Sequence, residues 1–554
     1  MRVQGRALQN QDRATSFGLW TMSAIPPLED RRLVLQATCD AGRTQKERNR
    51  RGQFATPTAL ATEMLEQARA LLPPDVPVRF LDPAIGTGAF YSALLRTFPK
   101  ERIAGAAGFE IDPHYGEPAR GLWQGHPLKL TLGDFTTAEA PRPAGRFNLI
   151  ICNPPYVRHH HLDNADKARL QAATAEACGV KVGGLAGLYC YFLALSHAWL
   201  ADDGIAGWLI PSEFMDVNYG VAAKRYLLNH VELLQIQRFD PNDVQFGDAL
   251  VSSAVVWFRK RRPMAGHQIE FTYGGTLANP ARRLPVAAGA LQTEAKWTRF
   301  PESPVRETST GLRLADFFKI QRGIATGDNT FFIRSTQQLA AHGLPRELFK
   351  PILPGPRHLP TDEVEADQDG IPKLERRLFI LDCRLPEGEI KQRYPSLWAY
   401  LQTGKPSVSE RYLCRFRSPW YAQENRPPAP FVCTYMGRGD VKSGRPFRFI
   451  LNHSLATTAN VYLMLYPKPP LALALEDNPK LKRKVWEFLN AIKPETLLGE
   501  GRVYGGGLYK MEPKELANVG AEDIAALLPK ACMRPEIAGV KLAVSKGRRP
   551  LVGS

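Results

Sequence analysis

Between residues 78 and 258, short apolar runs alternate with helical segments, and four consecutive runs end on a polar side chain. The run at 78–81 ends at Asp82, that at 103–109 at Glu110, that at 128–132 near Gly133 and Asp134, and that at 147–152 at Asn153. Further runs at 205–210, 231–239 and 251–258 complete seven predicted strands, with helices predicted at 89–98, 188–200 and 221–229. Such alternation implies an α/β fold, a Rossmann-like and mainly parallel seven-stranded sheet covered by helices on both faces. Ligands of such sheets lie beyond the carboxyl ends of the strands, where loops and helix N-termini converge. Asp82, Glu110, Asp134 and Asn153 are therefore expected to line one crevice. Each alone would be an ordinary cap or turn residue; their succession carries the expectation.

Two of these strand ends lead into segments with chemistry of their own. After the first strand runs Asp82-Pro83-Ala84-Ile85-Gly86-Thr87-Gly88-Ala89-Phe90. Gly86 and Gly88 let a ligand approach the backbone closely. Tyr91 stands where a dinucleotide-binding G-x-G-x-x-G loop would have its third glycine, which argues against a dinucleotide. Glu110, at the end of the next strand, can accept both hydroxyls of a ribose. After the fourth strand comes Asn153-Pro154-Pro155-Tyr156. Two prolines stiffen this turn and remove competing N–H groups, so the Asn153 amide oxygen and the Pro154 carbonyl can both face one donor. An exocyclic NH2 is such a donor, and two acceptors holding its hydrogens leave the nitrogen lone pair available for attack on a methyl group. Tyr156 offers a face on which a base can stack.

Upstream, Thr56 and Pro57 are predicted to start a helix in which Leu60, Met64, Ala68, Leu71 and Leu72 recur at helical spacing before Pro73-Pro74. With Gly52-Gln53-Phe54-Ala55-Thr56-Pro57 in front, residues 82–90, Glu110, Asp134-Phe135 and the Asn-Pro-Pro-Tyr turn together resemble the S-adenosylmethionine-dependent adenine-N6 DNA methyltransferases. The chain order resembles the gamma class found in type II restriction-modification systems. The resemblance implies that Phe54 and Thr56 contact the methionine part of S-adenosylmethionine and that Asp82, Gly86 and Gly88 form its main loop. It further implies that Glu110 binds the ribose, Asp134 and Phe135 the cofactor's adenine, and Asn153, Pro154, Pro155 and Tyr156 the target base, with Phe246 as a second aromatic against it. Residues 318–329 resemble the segment that opens the recognition region of this family, and residues 505–513 one that closes it.

Charge divides the chain in a way that suits this reading. Residues 51–250 hold 17 basic and 21 acidic side chains, whereas residues 251–554 hold 46 basic and 29 acidic, within a total excess of +17. A strongly basic half can bind a polyanion through phosphate contacts, so a nucleic acid is the expected partner, and the resemblance implies that it is double-stranded DNA. The expected organisation is an arm at 1–45, a catalytic domain at 46–260, a connector at 261–310 and an α+β target-recognition domain at 311–554. No nuclease motif is apparent, and a cognate restriction endonuclease is expected to be encoded separately. The 8 cysteines form no C-x-x-C pair, no metal is expected, and a reducing cytoplasmic location without membrane span or secretion signal fits best. His159-His160-His161 is expected as a solvated loop rather than a metal site. Two alternatives remain open: a protein glutamine-N5 methyltransferase using the same turn, and an inactive DNA-binding module.

Overall fold

The computed structural model describes residues 27–240, 252–301, 311–438, 445–504 and 508–528. All seven predicted strands are present: β1 (Val78–Asp82), β2 (Ile103–Glu110), β3 (Leu128–Leu132), β4 (Phe147–Cys152), β5 (Leu200–Pro211), β6 (Glu232–Arg238) and β7 (Ser253–Arg259). They lie in the order β3-β2-β1-β4-β5-β7-β6. The five strands from β3 to β5 are parallel to their neighbours, and β7 runs antiparallel between β5 and β6. The chain thus builds outward from β1 in one direction and then from β4 in the other, opening a crevice where β1 and β4 adjoin.

The sheet has nine strands rather than the expected seven, because the segment expected as a connector supplies two more. Strand β8 (Gln268–Tyr273) pairs parallel with β6, and β9 (Arg282–Ala287) closes the edge antiparallel to β8. Ile269 and Phe271 of β8 are fully buried, and Phe271 packs on Trp297 and Phe300, ring centroids 6.3 and 5.1 Å apart. Two six-residue strands separated by Gly274 and Gly275 carry little periodic signal, and the pairing that stabilises them is with β6, about 35 residues upstream.

Burial alternates along the central strands. Phe80, Leu149, Ile151 and Leu209 face one core, with helices α3 (Thr58–Leu71) and α4 (Ala89–Thr97). Leu81, Ile150, Cys152 and Trp208 face the other, with α6 (Asn164–Cys178), α7 (Leu188–Leu195) and α8 (Val221–Asn229); α5 (Pro113–Leu122) contacts β2 and β3. Apolar cover on both faces explains why these strands read as continuous apolar runs.

The arm expected at 1–45 is not loosely attached where it is described. Residues Leu28–Ala41 form helix α1, and Gln45–Arg51 form α2, capped by Thr44 and Glu47 in reciprocal bonds. Arg32 of α1 is 1% exposed and pairs with Glu29 at 2.6 Å. It also donates to the hydroxyls of Thr58 and Thr87, each at 3.3 Å. A polar, arginine-rich segment gives no periodic sign of such burial, because its partners lie in α3 and in the glycine loop.

Residues 311–528 build a second, α+β region. Its main sheet has the spatial order Phe318–Arg322, Tyr462–Pro467, Phe431–Thr434, Phe449–Asn452, Glu363–Val364. Leu314, Phe431, Leu463, Leu465, Val485 and Leu489 are prominent in its core. The opening motif at 318–329 supplies an edge strand of this sheet and the turn after it. Of the closing motif, Leu508–Lys510 pairs with Met436–Arg438, and Gly505, Gly506 and Gly507 lie outside the described residues.

Candidate active site

A cavity of about 670 Å³ opens at the carboxyl ends of β1 to β4. Phe54, Thr56, Asp82, Gly86, Glu110, Asp134, Phe135, Asn153 and Pro155 border it. The fold has therefore brought together side chains from a loop before α3, the glycine loop and three further strand ends. Gly88, Pro154 and Tyr156 are not among the residues that border it, and Phe246 lies outside the described residues.

Each strand-end residue is tied down by local backbone. Asp82 accepts from the Ala84 N–H at 3.1 Å. Glu110 accepts from the Gly86 N–H at 3.0 Å and the Asp112 N–H at 2.8 Å, which couples the second strand end to the glycine loop. Asp134 accepts from the N–H and hydroxyl of Thr136, both at 2.8 Å, with Arg169 of α6 at 3.7 Å. Phe135 is 2% exposed and held among Phe109, Phe192 and Trp199 at centroid distances of 5.3–5.5 Å. Gly86 has φ +54 and no atom within 4 Å of the place a Cβ would take, so the cavity runs up to bare backbone there.

The electrostatics of this wall are unusual for a protein interior. Burial pushes the Asp82 carboxyl up to about 8, with nearby Glu110 adding to the rise. Glu110 is likewise raised, chiefly by burial. Two carboxyls that resist ionisation in one pocket favour a ligand that brings positive charge, hydroxyl donors, or both. Asp112, on the same cavity lining, behaves oppositely: burial alone would raise it, yet Gln53, the His114 N–H, Arg43 and Arg51 hold it below its usual value. Those contacts fasten α2 and the loop before α3 to α5.

Asn153 is oriented by the segment that was expected to touch a cofactor. Its Nδ2 donates to the Phe54 carbonyl at 3.0 Å and to the Thr56 hydroxyl at 3.1 Å. Both amide hydrogens are thereby used, and the amide oxygen is buried without a hydrogen-bond partner among the described residues. An orphaned buried acceptor beside a cavity is costly unless a ligand completes it. Thr56 accordingly does not cap α3, whose first turn is preceded by Pro57. Tyr156 donates its hydroxyl to the Leu209 carbonyl at 3.1 Å and packs on Phe54, ring centroids 5.4 Å apart. Its backbone N–H reaches the Gly52 carbonyl at 3.2 Å.

Several lining residues left no mark in the sequence. Gln36 of α1 accepts from the Thr87 hydroxyl at 2.6 Å and donates to Asp40, and both Gln36 and Asp40 border the cavity. Arg169, Leu188 and Phe192 do so from α6 and α7. His160 and His161 are exposed, as expected of a solvated loop, and also border the cavity. Helix α1 had no recognisable register with the loop it covers, so sequence spacing held no signal for Gln36.

The strand order and the cavity at its switch point define a Rossmann-like methyltransferase fold. Residues 128–245 match the family model described as "Eco57I restriction-modification methylase", and residues 303–535 match "Type II methyltransferase M.Eco57I, C-terminal domain". Both models describe type II restriction-modification methyltransferases, and the chain is similar to that family over both regions. It is 27% identical over 478 residues to the type II methyltransferase M.XamI of Xanthomonas campestris pv. amaranthicola, covering 84% of each chain. It is 24% identical over 492 residues to M.AccI of Acinetobacter calcoaceticus, covering 85% of each. Among solved structures, the type IIL restriction-modification enzyme MmeI in complex with DNA shares the fold at a TM-score of 0.51 and 12% identity, over 81% of this chain and 67% of that one. No helix of the described residues is long and apolar enough to cross a membrane.

Proposed function

We propose that this methyltransferase transfers a methyl group from S-adenosylmethionine to N6 of an adenine flipped out of double-stranded DNA, as the modification enzyme of a restriction-modification system. The observation that carries the reading is the orphaned amide oxygen of Asn153 at the cavity, with both amide hydrogens already held by Phe54 and Thr56. That arrangement accepts an NH2 and cannot donate to one. A base that presents an exocyclic amine fits it, and the Pro154 carbonyl is the second acceptor. Holding both amine hydrogens keeps the nitrogen lone pair out of the ring and directed across the cavity. Tyr156 and Phe54 brace the turn from behind.

The wall opposite fits the cofactor. Gly86 leaves room for a ligand against the backbone, Glu110 is placed for the ribose hydroxyls, Asp134 and Phe135 for the adenine ring, and Asp82 beside them for positive charge. When bound, S-adenosylmethionine supplies an electrophilic methyl on a sulfonium. The chain's own contribution is placement: acceptors fixed by their bonds before the target arrives. Turning a base out of a duplex takes a few kcal/mol, which the basic second region offsets through phosphate contacts. A separately encoded endonuclease is the partner this reading implies, in keeping with the type II methyltransferases among its relatives.

The test is methyl transfer from labelled S-adenosylmethionine to unmethylated duplex DNA, with modified bases mapped in a host that lacks adenine methylation. Asn153→Ala abolishes transfer and leaves cofactor affinity within about threefold. Label arriving on a protein glutamine, or on cytosine, would overturn the assignment.

A further inference from the structure

In the second region, the one-turn helix Tyr412–Arg415 displays a cluster of large apolar side chains to solvent. Tyr412 is 70% exposed, Phe416 71% and Leu413 39%. The two rings lie 5.3 Å apart in an edge-on arrangement, and the Arg415 guanidinium stands 5.4 Å from one centroid and 4.8 Å from the other. A loosely held turn could fold such rings away, but this one is fastened to the chain beneath it. Cys414 is fully buried, Arg417 donates to the Thr326 carbonyl at 2.8 Å and to the Ala325 carbonyl, and Arg411 pairs with Asp328 at 2.8 Å. Thr326 and Asp328 belong to the motif at 318–329 singled out in the sequence, which serves here as a mount for the aromatic turn. Large rings presented to water from an anchored turn are a mark of a contact surface.

We infer that this turn is a DNA-docking element, in which Tyr412 and Phe416 pack on bases or sugars of the duplex while Arg415 reaches the backbone. This inference rests on the DNA reading above. Charge selects the partner: Arg411, Arg415 and Arg417 stand against Glu410 and Asp328, in a half of the chain with 46 basic and 29 acidic residues. Aromatic rings interleaved with arginines suit bases and phosphates together, since every base has a face to stack on and every step carries phosphate charge.

The experiment measures binding of the full-length protein to random-sequence duplex DNA by fluorescence anisotropy over a range of salt. The double variant Tyr412→Ala/Phe416→Ala weakens binding about tenfold or more without changing the slope of log affinity against log salt. Arg415→Gln makes that slope shallower by about 0.9, the signature of one phosphate contact. Thermal midpoint and S-adenosylmethionine affinity stay at wild-type values in both variants. Unchanged DNA affinity in the double variant overturns the inference. So does loss of self-association in sedimentation with DNA affinity intact, which assigns the turn to a second copy of the chain. Absence of DNA binding by the wild-type protein defeats the DNA reading itself, a result distinct from either.

Discussion

Asn153 donates its amide N–H to the hydroxyl of Thr56 at 3.1 Å, a bond that joins the turn after β4 to a loop 97 residues earlier in the chain. The Phe54 carbonyl, which can only accept, takes the other amide hydrogen and decides which way the amide faces, while the Thr56 hydroxyl supports that orientation. An amide turned over would present NH2 to the cavity and repel the very group it is proposed to hold. On the proposed reading, the loop before α3 serves the target site as well as the cofactor wall.

Thr56→Val removes that acceptor while keeping the side chain's shape. A hydrogen bond of this kind contributes about 0.5–1.5 kcal/mol, so the methyl-transfer rate in single turnover falls by about two- to tenfold. Thr56→Ser restores it. Cofactor affinity, measured by calorimetry, changes by less than the rate. A larger loss of affinity than of rate would place Thr56 chiefly against the cofactor.

Asp82 couples cofactor binding to pH. Its carboxyl is pushed up to about 8, so it is largely protonated at neutral pH in the free protein. A cationic ligand favours the carboxylate, and binding releases a proton. Calorimetry in buffers of different ionisation enthalpy detects that release near pH 7, and affinity rises as pH climbs through 8. The same group makes folding pH-dependent in the opposite sense. The folded protein keeps a proton that the unfolded chain loses near pH 4, so stability is full below that value. It then falls by about 1.4 kcal/mol per pH unit until about pH 8. Asp82→Asn flattens both dependences, and an unchanged proton release in that variant would assign the linkage elsewhere.

Gly52→Ala tests how closely the two loops must approach. Gly52 has φ +66, and a Cβ there would overlap the backbone of Tyr156. The left-handed backbone and the overlap together destabilise the fold by about 1–3 kcal/mol, read as a lower thermal midpoint. The displaced turn also carries Asn153, so the transfer rate falls in the fraction that remains folded. A variant that is destabilised yet fully active per folded molecule would show that the turn tolerates the shift.

Arg32 and Glu29 pin α1 over the glycine loop. Burial works against the Glu29 carboxylate, but bonds from Arg32, Ser92 and Thr58 bring it down to about 2. Its stabilising contribution is full above about pH 4.5 and is lost as pH falls toward 2. Arg32→Ala leaves a buried carboxylate without its partner and destabilises by about 3–5 kcal/mol, measured by urea denaturation. The double variant Arg32→Met/Glu29→Leu recovers much of that loss, which separates the pair's positioning role from the simple penalty of an unpaired charge.

The outline of the site was legible in the chain because two strong local signals coincide at its strand ends. Buried parallel strands are apolar throughout, so the polar residue that ends each one is conspicuous, as at Asp82, Glu110 and Asn153. The glycine loop and the proline-stiffened turn are local in sequence and could be read without knowing what surrounds them. The two added strands escaped notice because the register that makes them strands belongs to β6. The burial of Arg32, Gln36 and Thr87 against one another joins residues more than 50 positions apart, and no periodicity records such a contact.

Local sequence determined the parallel core, the order of its motifs and the polar residues at its crevice, since strand period, glycine freedom and proline rigidity act over a few bonds. Tertiary structure alone decided that Asn153 keeps its oxygen unpaired among the described residues, that α1 closes over the loop, and that an aromatic turn is mounted on the motif at 318–329. These depend on which buried donors and acceptors meet after the chain has collapsed. Hydrogen-bond satisfaction is settled in three dimensions, by partners that linear distance does not reveal.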